Sequence, residues 1–301
     1  MSAQTPSSAT PAPLRRAAGQ TISGDTRVFG ILGYPVNHTL SPVMYNALFE
    51  QLGLNAAYIA MEVHPDQLPQ ALQGLKALGV RGVHLTCPHK EEVLPYLDDL
   101  SEDARTVGAV NVVANRDGFL YGDNTDGPGF VVSVLEETPY QIPGSTVGVI
   151  GAGGAARAIA GALARQGASR IVFFNRTLSR AVQASDELGR VFPDTFFQAL
   201  PLTGQAFQTW SPEFDLIVNA ARGAASGLLD TFSLERVRPS CIISDINYYA
   251  TRSPFLGQAT SRRLLVHQGV GMLVHQGAIS LKLLLGLDVD AEILRSFLQR
   301  G

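Results

Sequence analysis

VGVIGAGGAARAIAGALARQG, Val147 to Gly167, opens on an apolar run, Val147 to Ile150, of the length and character of a buried parallel strand. A turn must follow it. Gly151, Gly153 and Ala156 fill the pattern G-x-G-x-x-G/A: the first position permits the tight turn, the second lets a pyrophosphate approach the backbone, and the third allows close packing of helix on strand. Ala155 to Arg165 then reads as an alanine-rich helix whose N-terminal N–H groups and positive dipole end suit a phosphate. An ordinary glycine turn of an α/β protein shows the same letters, so the pattern needs context. A second strand, Arg170 to Phe174, supplies it by ending at NRTLSR about twenty residues on, where an NAD-binding chain places an acid for the ribose 2′-hydroxyl. Here there is no acid: Asn175 is neutral, and Arg176 and Arg180 carry guanidinium groups suited to a phosphate. The expectation is NADP rather than NAD. The alternative is that both arginines are solvated charges at the start of a surface helix.

With 46% hydrophobic residues, the 301-residue chain can bury a sizeable core, and its length accommodates two domains. A formal net charge of -3 leaves no basic surplus to hold a nucleic-acid backbone, no apolar run is long enough to span a bilayer, and no periodic repeat is present. A soluble protein is therefore expected, and its oligomeric state stays open. Cys87 and Cys241 lie far apart in apolar, strand-like contexts, which suits buried thiols of a reducing compartment better than a disulfide. The expected location is cytoplasmic. Residues 1–24 are rich in Ser, Thr, Pro and Ala and lack both an acid and a continuous apolar segment, so they do not form a secretory signal. Arg15 and Arg16 among hydroxyl residues resemble a transit peptide, but the prolines oppose an amphipathic helix and a disordered tail is expected.

From Arg27 onward, elements alternate. A strand from Arg27 to Leu32 precedes a helix from about Pro42 to Leu52 and a strand from Ala57 to Val63; Leu68, Leu72, Leu75 and Leu78 mark one face of the next helix. Val80 to Thr86 reads as a strand and Glu91 to Asp98 as a short helix. Ala109 to Ala114 and Phe119 to Tyr121 are strands joined by the turn NRDG, so this first unit is mixed rather than purely parallel. A helix from Gly127 through Leu135 leads to the nucleotide strand, and strands at Leu216 to Asn219, Ile242 to Asp245 and Leu264 to Val266 continue the second unit. Helices from about Met272 to Leu285 and Ala291 to Leu298 have broad apolar faces that either unit could cover. The fold class expected is α/β with two domains: a Rossmann-like NADP domain and a mixed α/β substrate-binding domain.

Four polar clusters stand at predicted strand ends, where ligand sites of open α/β sheets lie. NHTLSP offers the hydroxyls of Thr39 and Ser41 to a small carboxylate, although Ser41 followed by Pro42 reads equally as a helix N-cap. HLTCPHK places Thr86 and Lys90 around a proline-constrained turn; a lysine there is solvated unless an acid and a sheltered site tune it. His84 and His89 in the same stretch lack the further Cys, His or carboxylate ligands of a metal set, so no metal is expected. GAVN ends in Asn111. GDNTDGPG supplies Asp126, either an N-cap for the next helix or the carboxylate that Lys90 needs.

The ordered set HTLSP, LTCPHK, GAVN, GDNTDG, GAGGAAR, NRT, DINY and GMLVHQG, running from about Arg27 to the C-terminus, resembles the shikimate/quinate dehydrogenase family. The resemblance implies that residues 25–125 and 271–301 form a substrate-binding domain into which an NADP domain, residues 126–270, is inserted. It also implies reversible reduction of 3-dehydroshikimate by NADPH to shikimate, on the route to aromatic amino acids. Matched position by position, Lys90 and Asp126 are the catalytic pair, while Thr39, Ser41, Thr86, Asn111 and Gln276 bind substrate and Tyr248 is a substrate-side tyrosine. Gly151, Ala152, Gly153, Gly154, Ala155, Asn175, Arg176, Thr177, Arg180, Gly269 and Met272 correspond to the cofactor side.

Three positions depart from the family's commonest pattern: Thr39 for serine, His84 for asparagine before Leu85-Thr86, and Ala221 for threonine in a cofactor-side loop. The first two bear on substrate preference, leaving a relative that acts on quinate or another ring acid as the alternative; the third bears on NADP affinity. A catalytically silent, ligand-sensing relative is the other alternative, and retention of both Lys90 and Asp126 argues against it.

Overall fold

The computed structural model describes residues 22–221, 229, 232–248 and 254–299, so the tail expected over residues 1–24 lies outside the described residues as far as residue 21. The first half forms β1 (Arg27–Gly33), α1 (Ser41–Gln51), β2 (Ala56–Glu62), α2 (Leu68–Ala77), β3 (Gly82–Leu85), α3 (His89–Glu92), β4 (Asp99–Leu100), α4 (Glu102–Val107), β5 (Val112–Arg116) and β6 (Phe119–Asp123). Its sheet has the order β2-β1-β3-β5-β6-β4. β1 is parallel to β2 and β3, whereas β5 is antiparallel to β3 and β6, giving the mixed sheet that the NRDG turn implies.

The remainder forms α5 (Asp126–Glu137), β7 (Thr146–Ile150), α6 (Gly154–Arg165), β8 (Arg170–Asn175), α7 (Leu178–Val191), β9 (Phe196–Pro201), α8 (Gly204–Trp210), β10 (Leu216–Asn219), β11 (Ile242–Asp245), α9 (Pro254–Ser261), β12 (Leu265–Gln268), α10 (Gly269–Leu285) and α11 (Ala291–Leu298). The sheet order β12-β11-β10-β7-β8-β9 is parallel throughout, and the strand order reverses at β7, beside which such sheets bind ligands. Alternate side chains of its buried strands feed two cores. Val147, Val149, Ile171 and Phe173 pack with α5, α6 and α7 on one face; Ile150, Val172, Phe174 and Ile217 pack with Phe207, Phe214 and Phe255 on the other.

Helices α10 and α11 go back to the first sheet. Val274, Leu281, Leu294 and Phe297 join Phe29, Tyr45, Leu48 and Tyr58 in one core, which resolves which unit their apolar faces cover. Several other boundaries differ from the sequence reading. The predicted helix over Glu91 to Asp98 is a one-turn helix, a 3₁₀ turn at Leu94–Tyr96 and a strand, followed by α4. The cause is visible at Ser101, whose hydroxyl accepts the N–H of Ala104 and starts a new helix. β9, α8 and α9 were not anticipated. Cys87 is exposed in the turn after β3 rather than buried in a strand, because the strand stops at Leu85; Cys241 is buried, and burial pushes its thiol up to about 12.

Helix α5 is the element on which both units rest. A Cβ on Gly127 would stand 2.4 Å from the carbonyl oxygen of Ala158 in α6, and one on Gly129 would stand 2.5 Å from the backbone nitrogen of Gln276 in α10. Behind it, buried His267 bridges Ser133 of α5 (2.7 Å) and Ser244 of β11 (2.9 Å), and burial lowers its pKa to about 4. Among the described residues no helix is long and apolar enough to cross a membrane.

This packing gives a signed test. Glycine-to-alanine changes inside helices ordinarily stabilise by about 0.5–1 kcal/mol, and Gly74→Ala in α2, where a new methyl meets nothing within 4 Å, should follow that rule. Gly127→Ala should instead destabilise by about 1–3 kcal/mol, as overpacked cores do. Urea midpoints moving in opposite directions for the two variants is the expected result; a stabilised Gly127→Ala would contradict the close packing of α5 on α6.

Candidate active site

The carboxyl ends of β3 and β6 and the amino end of β5 face the start of α6, and between them lies a cleft lined by residues of both units. Lys90 enters from α3, which starts immediately after the turn Thr86-Cys87-Pro88; its carbonyl accepts the N–H of Val110 at 2.8 Å, tying the turn to the GAVN segment. Asp126 enters as the first residue of α5, where the helix dipole favours a carboxylate. The loop before it is shaped by Asn124, whose amide donates to the Ala109 carbonyl (2.9 Å) while its oxygen accepts the N–H of Asp126 (3.1 Å). Asp126 therefore does not serve as an N-cap, and neither does Ser41, which is the first residue of α1 with Leu40 in the cap position.

The Lys90 ammonium and Asp126 Oδ2 form a direct ion pair, with side chains only 15% and 6% exposed. So buried a pair requires further hydrogen bonds to offset its desolvation. Asn111 provides one, from Nδ2 to Asp126 Oδ1 at 3.0 Å. The amide orientation is fixed because Asn111 Oδ1 accepts the backbone N–H of Thr125 at 2.8 Å, leaving the NH₂ group to face Asp126 and Gln276 Oε1 (3.2 Å). Gln276 is held in turn by its own NH₂ on the Leu273 carbonyl at 2.8 Å. Ser41, Thr86, Tyr248, Ala155, Gly269 and Met272 line the same cleft, while Thr39 stands one step back, with Oγ1 3.3 Å from Ser41 Oγ.

His84 also lines the cleft. Its Nδ1 lies 2.8 Å from Tyr58 Oη and its Nε2 3.2 Å from Tyr45 Oη. Burial lowers its pKa to about 3, overcoming the upward pull of Asp126, so the imidazole is neutral. His89 is buried with Nε2 on the Val63 carbonyl at 2.9 Å, and among the described residues no cluster of three or more His, Cys, Asp or Glu could hold a metal ion.

On the nucleotide side, Gly151 has φ of 109°, a left-handed value that suits glycine and makes the tight turn after β7. Ala152 is buried, and the extended Gly153 caps α6 with only Glu91 Oε1, at 3.6 Å, near where a Cβ would stand, which leaves the backbone open to a pyrophosphate. A Cβ on Gly154 would meet those of Ala109 and Lys90 at 3.0 and 3.1 Å, so the N-terminus of α6 sits directly against the lysine's side chain. Asn175 bonds the Thr177 carbonyl (2.8 Å), holding the bend between β8 and α7; Arg176 and Thr177 are exposed on it. Arg180 is not simply solvated: its Nη2 donates to both carboxylate oxygens of Glu91, at 2.9 and 2.8 Å, across the cleft. Arg157 of α6 makes a second tie, from Nε to the Val107 carbonyl at 2.6 Å. Sequence reasoning missed Glu91, which lies beside Lys90 but meets a partner 89 residues away, and also the tyrosines that hold His84. Ala221 is buried in the second core of the parallel sheet, its N–H on Asn219 Oδ1 and its carbonyl on Asn247 Nδ2.

A parallel nucleotide-type sheet without a ribose-binding acid, facing a sheltered lysine–carboxylate pair on a separate mixed sheet, defines a two-domain nicotinamide-nucleotide oxidoreductase. Comparison with known proteins narrows this. A family model described as the shikimate dehydrogenase substrate binding domain matches residues 31–113, and one described as shikimate / quinate 5-dehydrogenase matches residues 134–235. The shikimate dehydrogenase (NADP(+)) of Geobacter metallireducens is 38% identical over 275 residues, covering 91% of this chain and 96% of its own. That of Geobacillus kaustophilus is 41% identical over 256 residues, covering 84% and 91%. The shikimate 5-dehydrogenase of Thermus thermophilus, solved in complex with NADP(H) and shikimate, superposes with a TM-score of 0.79 at 34% identity, covering 91% of this chain and 99% of that one. The chain belongs to the shikimate dehydrogenase family.

Proposed function

We propose that the protein is an NADP-dependent oxidoreductase that interconverts 3-dehydroshikimate and shikimate, within the route to chorismate and the aromatic amino acids. The observation that carries this reading is the Lys90–Asp126 pair, mostly buried and packed against the N-terminus of α6. When bound, NADPH supplies the hydride; the open backbone at Gly153 and the guanidinium groups of Arg176 and Arg180 fit its pyrophosphate and 2′-phosphate. Ala155, Gly269 and Met272 line the nicotinamide side of the cleft. Reduction of the ketone builds negative charge on oxygen, which the Lys90 ammonium stabilises and protonates. Asp126 keeps that ammonium aimed, and Asn111 keeps Asp126 aimed. Thr39 and Ser41 receive the ring acid's carboxylate, while Thr86, Asn111, Gln276 and Tyr248 hold the ring for transfer.

In this reading residues 25–125 and 271–301 form the substrate-binding domain, residues 126–270 form the NADP domain, and the protein works in the cytoplasm. The relatives' names favour shikimate over quinate, and the intact lysine–carboxylate pair disfavours a silent sensor. Absorbance of the reduced nicotinamide, followed with NADP or NAD against shikimate or quinate, tests substrate and cofactor together. The expected outcome is a kcat/KM for NADP at least about tenfold above that for NAD, since a charge-assisted bond to the 2′-phosphate contributes about 1.5–3 kcal/mol. Equal efficiency with the two cofactors would overturn the assignment.

A further inference from the structure

The segment from Val107 to Asn111 has the nucleotide helix α6 on one side and the lysine–carboxylate pair on the other. Toward the pair, the N–H of Val110 donates to the Lys90 carbonyl at 2.8 Å, and the Asn111 amide donates to Asp126 Oδ1 at 3.0 Å. The Asn111 backbone is bonded in turn to those of Leu85 and Asp123 in the first sheet, at 2.7 and 3.0 Å. Toward the nucleotide unit stands Arg157, one turn into α6 and only 6% exposed. Its Nε donates at 2.6 Å to the carbonyl of Val107, the last residue of α4, a group that a helix end leaves without an intrahelical partner. Its Nη2 is held from within the nucleotide unit by Glu187 of α7. Gly108 makes room for the guanidinium: its φ is 63°, and a Cβ there would stand 3.0 Å from Arg157 Nη2.

Two other pairs join the first unit to the nucleotide helices, Arg165 with Asp103 and Arg180 with Glu91. All four side chains are at least 35% exposed, and such pairs contribute little. Arg180 must also leave Glu91 to take a 2′-phosphate. Helix α5 packs directly on α6 and so places Asp126, but Lys90 comes from the first sheet, and its side chain against Gly154 limits only how near α6 can stand. Separation is resisted by the buried, charge-assisted bond from Arg157. We propose that Arg157 is a positioning residue for hydride transfer: by holding Val107 to α6, it sets the distance from a nucleotide seated at the N-terminus of α6 to a ring acid held at Lys90. Arg157 does not line the cleft and acts on Lys90 through Val107 to Val110. Its loss therefore falls on the transfer step, where a displacement of about 1 Å costs on the order of 10²-fold, and not on the affinity for either ligand.

The inference rests on the proposed reaction of NADP with shikimate, and the parent protein separates the two claims. In stopped flow, the first turnover of NADP reduction is followed at saturating NADP and shikimate, in protein shown to be folded by circular dichroism. Arg157→Met, which keeps the length of the side chain and removes its donors, should slow that turnover about 10- to 100-fold. The dissociation constants for NADP and shikimate should stay within about threefold of the parent's. Arg157→Lys keeps one charged donor for the Val107 carbonyl but loses the fork that also reaches Glu187, so its rate should fall between those of the parent and the methionine variant. An arginine that served stability alone would lower the urea midpoint and leave the folded fraction turning over at the parental rate. A parental rate in either folded variant overturns the positioning role. A parent that does not reduce NADP with shikimate overturns the proposed reaction and the inference with it.

Discussion

Lys90→Ala lowers kcat by about 10²- to 10⁴-fold in protein that remains folded by circular dichroism, the range lost when a general acid is removed. Asp126→Asn should cost a comparable factor, because the carboxylate that aims the ammonium is replaced by an amide whose NH₂ group faces it. The double variant should lose much less than the product of the two factors, since residues acting as one unit are not additive. A solvated lysine would behave differently, sparing turnover altogether. An aspartate whose only task was to cap α5 would cost about 1 kcal/mol of stability and leave the folded fraction fully active. Near-parental kcat in folded Lys90→Ala removes the proposed proton donor and with it the mechanism.

The second large effect falls on the cofactor. Replacing Arg176 and Arg180 together by alanine should raise the KM for NADP about 10- to 100-fold, the equivalent of one charge-assisted contact to phosphate, while the KM for shikimate changes little. The KM for NAD should stay near its parental value, so the variant discriminates less between the two cofactors. In the ligand-free structure Arg180 is held by Glu91, and the 2′-phosphate must compete with that carboxylate. Part of the NADP affinity is therefore offset by breaking an exposed ion pair, a term of about 0.2–1 kcal/mol. A double variant with unchanged NADP kinetics would place the 2′-phosphate elsewhere.

The nucleotide unit was the more legible half. Its strands β10 and β11 match their predicted limits because each is a short apolar run buried on both faces, and the glycines mark where β7 must turn. β9 and α8 escaped because half-buried, polar-laced segments such as Phe196–Pro201 carry no clean period. In the candidate site, the order of motifs brought forward the residues that now line the cleft, including Lys90 and Asp126 from segments 36 residues apart. Contacts between charged or polar groups with no motif of their own stayed hidden. Nothing local to Glu91 announces Arg180, and nothing near His84 announces that Tyr45 of α1 and Tyr58 of β2 would occupy both of its nitrogens. Cys87 misled for the opposite reason: its apolar neighbours belong to β3, but the chain has already turned outward at that residue.

The completion of the first core by α10 and α11 also sets an order of events during synthesis. Both cores of the parallel sheet draw only on residues between Phe130 and Met272, whereas the core around Phe29, Tyr45 and Tyr58 stays open until Leu294 and Phe297 have been made. Domains ordinarily fold as the ribosome delivers them, N-terminal first. Here one face departs from that order: the core drawn from Leu32 to Leu120 needs nothing made later, but the other core of the same unit waits for the last thirty or so residues. A nascent chain halted near residue 272 has every strand of the nucleotide sheet but lacks Gln276, Ser280 and the apolar cover over α1. The ring-acid side of the proposed site is thus the last part of the cleft to be completed, since Gln276 and the cover over α1 follow every strand of the nucleotide sheet.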